Sequence, residues 1–243
     1  MKNLPLLEHL RATKSKKELS FMLSSQKIAE AALKKATDSL RIGISEIDVC
    51  NVILKEFKRQ KEKSLPFPPI VAFGKGTADI HHKSRNTKLK EGDTIMIDLG
   101  ATFGGYCSDM TRTYFYGTPS KKQREIYSSV LKAQQKILDA VKKGERRCGY
   151  LDKLAHTSLK RHGAKAFPHT LGHGVGTVIH EWPILRSTSS DILKPGTVVT
   201  VEPGVYLKNW GGVRIEDMIL ITSSGYRNLT SVSKDLKDII LNN

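Results

Sequence analysis

The chain has 243 residues, 39% hydrophobic and 26% charged, the composition of a folded globular protein. Its net charge of +16 comes from 40 basic and 24 acidic residues. The basic residues are scattered, with modest clusters at Lys14, Lys16, Lys17 and at Lys142, Lys143, Arg146, Arg147, and no aromatic stacking platform accompanies them. The excess is therefore read as solvated helix faces rather than a nucleic-acid surface. No apolar run approaches the roughly 18 residues that span a bilayer. The start, MKNLPLLEHLRATKSKK, lacks a small-residue cleavage site. Three widely spaced cysteines, Cys50, Cys107 and Cys148, exclude a disulfide framework and a zinc knuckle. A cytoplasmic protein with no membrane partner is expected.

The first third reads as helix. Ser15 and Glu18 form a capping box, and Leu19, Met22, Ala29 and Leu33 follow at helical spacing as far as Gly43. A second helix starts after Ser45 and runs to about Gln60, before the breakers Pro66, Pro68 and Pro69. From Ile70 the pattern turns to short β-type runs. TIMIDLG (94–100) and YCSDMTRTYFYG (106–117) read as two strands joined at Gly104-Gly105. Helix returns after Ser120 with its capping partner Gln123, and Gly144 closes it. A further helix covers about Tyr150 to Arg161, with Gly163 just beyond. Two more strands follow, at 197–207 and 213–222.

Helices then strands occur twice, and the two strand regions match in detail. Asp98 stands six positions after Gly92, and Glu202 six after Gly196. Each acid ends an apolar run and is followed two residues later by a glycine, Gly100 or Gly204. A second acid follows in each copy, Asp109 and Glu216, also read as lying in strands. This is an internal duplication, and it predicts an α+β domain of two ααββ halves sharing one curved, mainly antiparallel sheet.

An acid within an apolar strand is costly to bury unless it is paired or bound to a metal. Taken singly, each of these acids is as readily a paired structural carboxylate. As a set in equivalent places they would converge on the symmetry axis and repel one another unless cations lay between them. His173, in the glycine-flanked LGHGVG, adds an imidazole. One imidazole with four carboxylates suits a pair of Mn, Co, Zn or Fe ions. Such a pair, about 3.5–4 Å apart, activates water and polarises a carbonyl. His81 in DIHHKSRN, His180 in VIHEWP and His169, four residues before His173, gather near the acids. Arg214, two residues before Glu216, shares its strand face. His82 is left as a surface residue.

Together IDLG, SDMTRT, HTLGHGVG, HEWP, VEPG and GGVRIED, spread over nearly the whole chain, resemble the pita-bread metallopeptidases. That family includes methionine aminopeptidase, aminopeptidase P and prolidase. The resemblance implies a pita-bread fold and two divalent metal ions, manganese first. Asp98 and Asp109 would hold one ion, His173 and Glu202 the other, with Asp109 and Glu216 bridging. Glu202 would also take the proton of the attacking water. His81 and His180 would bind substrate and stabilise the tetrahedral intermediate. His169 and Arg214, in HTLGH and VRIED, resemble the proline-specific members, aminopeptidase P and prolidase, in which they would contact substrate. Those members carry an additional N-terminal domain, so residues 1–14 are read as a junction segment and 15–243 as the catalytic domain. The expected activity is removal of the first residue from peptides or dipeptides with proline second, by a monomer or homodimer whose partner is a peptide. Methionine aminopeptidase is the alternative. A non-catalytic module binding protein or RNA is a third reading, supported only by the charge.

Overall fold

The structure, a computed structural model, describes residues 6–60 and 65–241, so the first five residues of the expected junction lie outside it. Helices α1 (Leu6–Ala12), α2 (Lys16–Asp38) and α3 (Glu46–Arg59) come first. Strands β1 (Ile70–Phe73), β2 (Thr94–Leu99), β3 (Thr102–Phe103), β4 (Tyr106–Cys107) and β5 (Met110–Tyr116) follow. Helices α4 (Lys121–Lys142) and α5 (Cys148–Leu159) open the second half. It continues with β6 (Gly172–Gly174), β7 (Glu181–Leu185), β8 (Val198–Val201), β9 (Gly204–Leu207), β10 (Gly211–Arg214), β11 (Asp217–Thr222), β12 (Gly225–Asn228) and β13 (Ile240–Leu241). Both capping boxes read from the sequence are formed, Ser15 with Glu18 and Ser120 with Gln123. A third, Ser45 with Asp48, opens α3.

The duplication is visible strand by strand. Between β2 and β5 lies the small β3–β4 ribbon, and between β8 and β11 the β9–β10 ribbon. The single curved sheet expected resolves into two main sheets, ordered β1-β2-β5-β13 and β12-β11-β8-β6-β7. All pairings in them are antiparallel except β13 on β5. The sheets are stitched along a seam between β5 and the β10–β11 segment. There Glu216 N–H donates to Thr111 O (3.2 Å) and Arg214 N–H to Thr113 Oγ1 (3.1 Å).

Alternation along the strands decides which side chains meet the seam. Ile95, Ile97 and Leu99 of β2, Val199 and Val201 of β8, and Ile219 and Ile221 of β11 enter one continuous apolar core. Met96 belongs to a separate small cluster, and Asp98 lines a cavity. Thr200, on the other face of β8 from Val199 and Val201, accepts the His173 N–H (3.0 Å) and donates to Glu202 (3.2 Å).

Three long strands expected from sequence are each broken where an acid stands. Asp109 precedes β5, Glu202 follows β8 and Glu216 precedes β11, so these three lie outside the strands rather than within them. A regular ladder would send alternate side chains to opposite faces. The breaks free the backbone to turn each carboxylate inward, and the displaced amides find other acceptors, Glu202 N–H donating to Leu171 O (2.9 Å).

Arg112, wholly buried in β5, closes the seam from below. Its Nη1 donates to Glu216 O (2.6 Å) and Thr111 O (2.9 Å), and its Nη2 to Asp217 Oδ1 (2.7 Å) and Val232 O (2.8 Å). Lys234 also pairs with Asp217. Asp217→Ala leaves a buried guanidinium without its counter-charge, so a loss of about 3–5 kcal/mol is expected, measured as a fall in the urea unfolding midpoint.

Candidate metal centre and active site

Nine residues singled out from the sequence line one cavity of about 400 Å³: His81, Asp98, Asp109, His169, His173, His180, Glu202, Arg214 and Glu216. The tightest group is Asp109, His173 and Glu216, whose ligand atoms all lie within 4.8 Å of one another. His173 Nε2 stands 3.6 Å from Asp109 Oδ2 and 3.5 Å from Glu202 Oε1. Asp98 comes from β2 on the opposite side of the seam, and His81 and His180 are exposed. The His180 ring packs edge-on against that of His173, centroids 4.3 Å apart.

Local sequence explains how His173 reaches the cluster. Strand β6 is squeezed between β7 and β8, and a Cβ on Gly172 would sit 2.1 Å from Thr200 O. Only glycine permits that approach.

The protonation of His173 follows from its neighbours. Nδ1 lies 3.0 Å from Gly174 O, and a carbonyl only accepts, so Nδ1 carries the proton. Burial lowers the ring's pKa to about 4, so the imidazole is neutral. Nε2 therefore turns a lone pair, not a proton, towards the oxygens of Asp109 and Glu202. Lone pair facing carboxylates is repulsive unless a cation lies between them.

The acids carry the same signature. Burial, joined by repulsion from Glu216, Asp98 and Glu202, pushes the Asp109 carboxyl well above the ordinary range. Glu202 is raised likewise by burial and by Glu216, and Glu216 is raised to about 8 by burial and Asp98. Asp98 is raised by burial against the pull of Arg214. Its Oδ1 is buried without a hydrogen-bond partner among the described residues. Orphan oxygen, inward lone pair and crowded acids fit divalent cations with oxygen and imidazole ligands.

Beside this group runs a hydrogen-bonded chain. Arg214, itself buried, donates from Nη2 to Asp98 Oδ2 (2.5 Å), from Nε to Thr111 Oγ1 (2.9 Å) and from Nη1 to Tyr206 Oη (2.9 Å). Tyr206 Oη lies 2.9 Å from His169 Nε2, and His169 Nδ1 lies 2.8 Å from Thr170 O. With Nδ1 donating to that carbonyl, Nε2 accepts from Tyr206, so every donor in the chain points one way. Burial first, then Arg214, lowers His169 to about 4. Thr111 passes the order on, donating to Glu216 Oε2 (2.7 Å).

Sequence reading missed Tyr206, Thr111 and Thr200, along with an apolar wall of Phe67, Ile70, Ile80, Ile179 and Ile184. Thr111 lay inside the quoted SDMTRT, but a threonine in a strand carries no distinguishing signal. His82 is corrected outright. Only 6% exposed, it is bonded to the fully buried Glu46 (Nε2 to Oε2, 2.9 Å).

A model described as metallopeptidase family M24 matches residues 20–223. The chain belongs to that family. It is 38% identical over 232 residues to the Xaa-Pro dipeptidase of Pyrococcus furiosus, a match covering 95% of this chain and 66% of that protein. Among solved structures, an Xaa-Pro dipeptidase from Bacillus anthracis superposes with a TM-score of 0.90 at 38% identity, over 97% of this chain and 66% of that one. An X-Pro aminopeptidase from Thermotoga maritima does so with a TM-score of 0.90 at 30% identity, over 98% and 66%. The chain thus spans just under two thirds of the length of these M24 relatives, and its fold is the pita-bread arrangement expected. No helix among the described residues is long and apolar enough to cross a membrane.

A pH dependence follows from the crowded carboxyls. A carboxyl raised from 4.5 to about 8, as in Glu216, binds more protons folded than unfolded across that window. Metal-free protein should therefore lose stability as pH rises from about 6.5 to about 8, above the window in which the lowered His169 and His173 act with the opposite sign. Saturating divalent cation should abolish the loss and release protons on binding. Thermal melts with and without metal, and calorimetry in buffers of differing ionisation enthalpy, check both signs.

Proposed function

We propose that this chain, with residues 15–243 as its catalytic unit, hydrolyses the bond between a first residue and proline, holding two divalent cations. One observation carries the reading: the His173 lone pair and the buried oxygens of Asp98, Asp109, Glu202 and Glu216 converge on one small volume. Asp98 and Asp109 would hold one ion and His173 with Glu202 the other, Asp109 and Glu216 bridging. Manganese is proposed first, with cobalt, zinc and iron suited to the same donors. When bound, the ions supply water activation and polarise the scissile carbonyl.

The remaining chemistry falls to the protein. Glu202, a carboxylate lining the cavity, takes the proton of the attacking water. His81 and His180 offer ring N–H groups to the oxygen on which charge develops. His169, aligned by Tyr206 and Arg214, contacts substrate where the apolar wall meets the polar cluster. Proline suits such a wall, since its ring is apolar and its amide nitrogen offers no N–H to satisfy. The names carried by the Pyrococcus and Bacillus relatives agree with this substrate class. Cys50, Cys107 and Cys148, none of them in a disulfide, support a reducing, cytoplasmic setting.

Purified chain supplied with Mn²⁺ or Co²⁺ should release the first residue from X-Pro substrates and leave Met-Ala peptides intact. No cleavage of X-Pro by a fully metallated sample sinks the proposal. Asp109→Ala should lose both ions by elemental analysis. His180→Ala should retain them while turnover falls about 100-fold.

A further inference from the structure

Taking His180 as catalytic, as proposed above, we infer that Glu181 is its positioning residue and that Lys14 and Arg11 hold Glu181 in place. Residues Arg11 to Lys14 then support the catalytic unit from the segment just before it. In the stretch 175–180 that joins β6 to β7, Thr177, Val178 and His180 are exposed, Val178 to 51%. Hydrogen bonding to the Glu181 carboxylate supplies the order that packing does not. Its Oε1 accepts from Val178 N–H (3.0 Å) and Thr177 Oγ1 (3.3 Å), and Arg11 Nη2 also bonds it. Its Oε2 accepts from Lys14 Nζ (3.3 Å). The carboxylate fits because residue 176 is glycine, where a Cβ would sit 2.3 Å from Oε2.

Lys14 is an unusual partner. Its side chain is 1% exposed, and a buried ammonium is costly without a counter-charge. Nζ also donates to Arg11 O (2.7 Å) and Ala12 O (3.3 Å), the C-terminal carbonyls of α1. The anchor itself is fixed to the second half, since Lys14 N–H donates to Gly196 O (2.9 Å) and Thr13 bridges Thr197. A continuous set of contacts thus runs from the turn before β8, through Lys14, to Glu181 and the adjoining His180. The His180 ring lies against His173. Displacing a reacting group by about 1 Å costs about 100-fold in rate, so loosening this clamp should act on turnover.

The test is a double-mutant cycle on the full chain. Lys14→Met and Glu181→Gln should each keep the metal content and lower kcat at least tenfold, with little change in KM. In the His180→Ala background the same substitutions should change kcat less than twofold, because their target is gone. Unchanged kcat in both single variants, or a full additional loss in the His180→Ala background, overturns the proposal. If Lys14→Met does not fold, Arg11→Ala, half exposed, is expected to give the same pattern at smaller amplitude, and an additive loss there is equally fatal. Amide exchange separates this proposal from the functional reading. Should the wild-type chain cleave no X-Pro substrate, faster exchange at Val178 in Lys14→Met still supports the clamp, and unaltered exchange refutes it.

Discussion

Four carboxylates and one imidazole lone pair occupy a single buried volume at the seam of two similar halves, and they cannot all stay ionised there unless positive charge is supplied. Much else in the architecture answers that constraint. The strand breaks at Asp109, Glu202 and Glu216 exist because a regular ladder would not deliver all of them to one point. Arg214 offsets part of the negative charge, but it is bound to Asp98 Oδ2 and leaves Oδ1 unpaired. A fixed guanidinium on one flank cannot replace a cation at the centre.

Adjacent residues show how finely this environment sorts chemistry. Glu216 and Asp217 are consecutive and both buried, yet their acidities move in opposite directions. Glu216 faces the other carboxylates and is raised to about 8. Asp217 faces away, and although burial alone would raise it, Arg112 and Lys234 outweigh burial and hold it low. One is a structural anion with its counter-charges built in. The other has no ion-pair partner among the described residues, only the more distant pull of Arg214 and Arg112, which suits its proposed role as a metal ligand. The two buried arginines divide in the same way: Arg112 binds backbone carbonyls of both halves together, and Arg214 orders side chains in the cavity.

The parts of this site that repeat were legible in the sequence. The matched Gly92…Asp98 and Gly196…Glu202 spacings forecast the duplicated halves, and the acid set followed from the cost of burying charge in apolar runs. Continuity was not legible. Apolar alternation persists across Ser108-Asp109, across Pro203 and across Ile215, so three strands were read where six exist, and one sheet where two meet. Tyr206 escaped because its role depends on β9 and β10 folding back as a ribbon, which brings Val205 opposite Val213 and Arg214 opposite Gly204. Nothing in a tyrosine after valine announces that register. His82 was misread for a similar reason, since its partner Glu46 is 36 residues away on α3.

That last correction reveals a rule of construction shared by both sides of the cavity. Each exposed histidine at the cavity, His81 and His180, is followed directly by a residue whose side chain is drawn inward and tied to the N-terminal helical region. After His81 comes His82, held by Glu46, whose carboxylate also accepts from Phe73 N–H (2.9 Å) and Arg85 N–H (2.7 Å) and so spans both ends of the loop. After His180 comes Glu181, held by Lys14 and Arg11. A side chain that faces solvent cannot be fixed by its own burial. Burying the next residue along fixes its backbone instead and leaves the ring free to face the cavity. The polarity of the two anchors is reversed, histidine on a carboxylate in one half and carboxylate on a lysine in the other. What the halves share is therefore not a particular ion pair but the physical requirement that an exposed side chain at the cavity needs a buried neighbour.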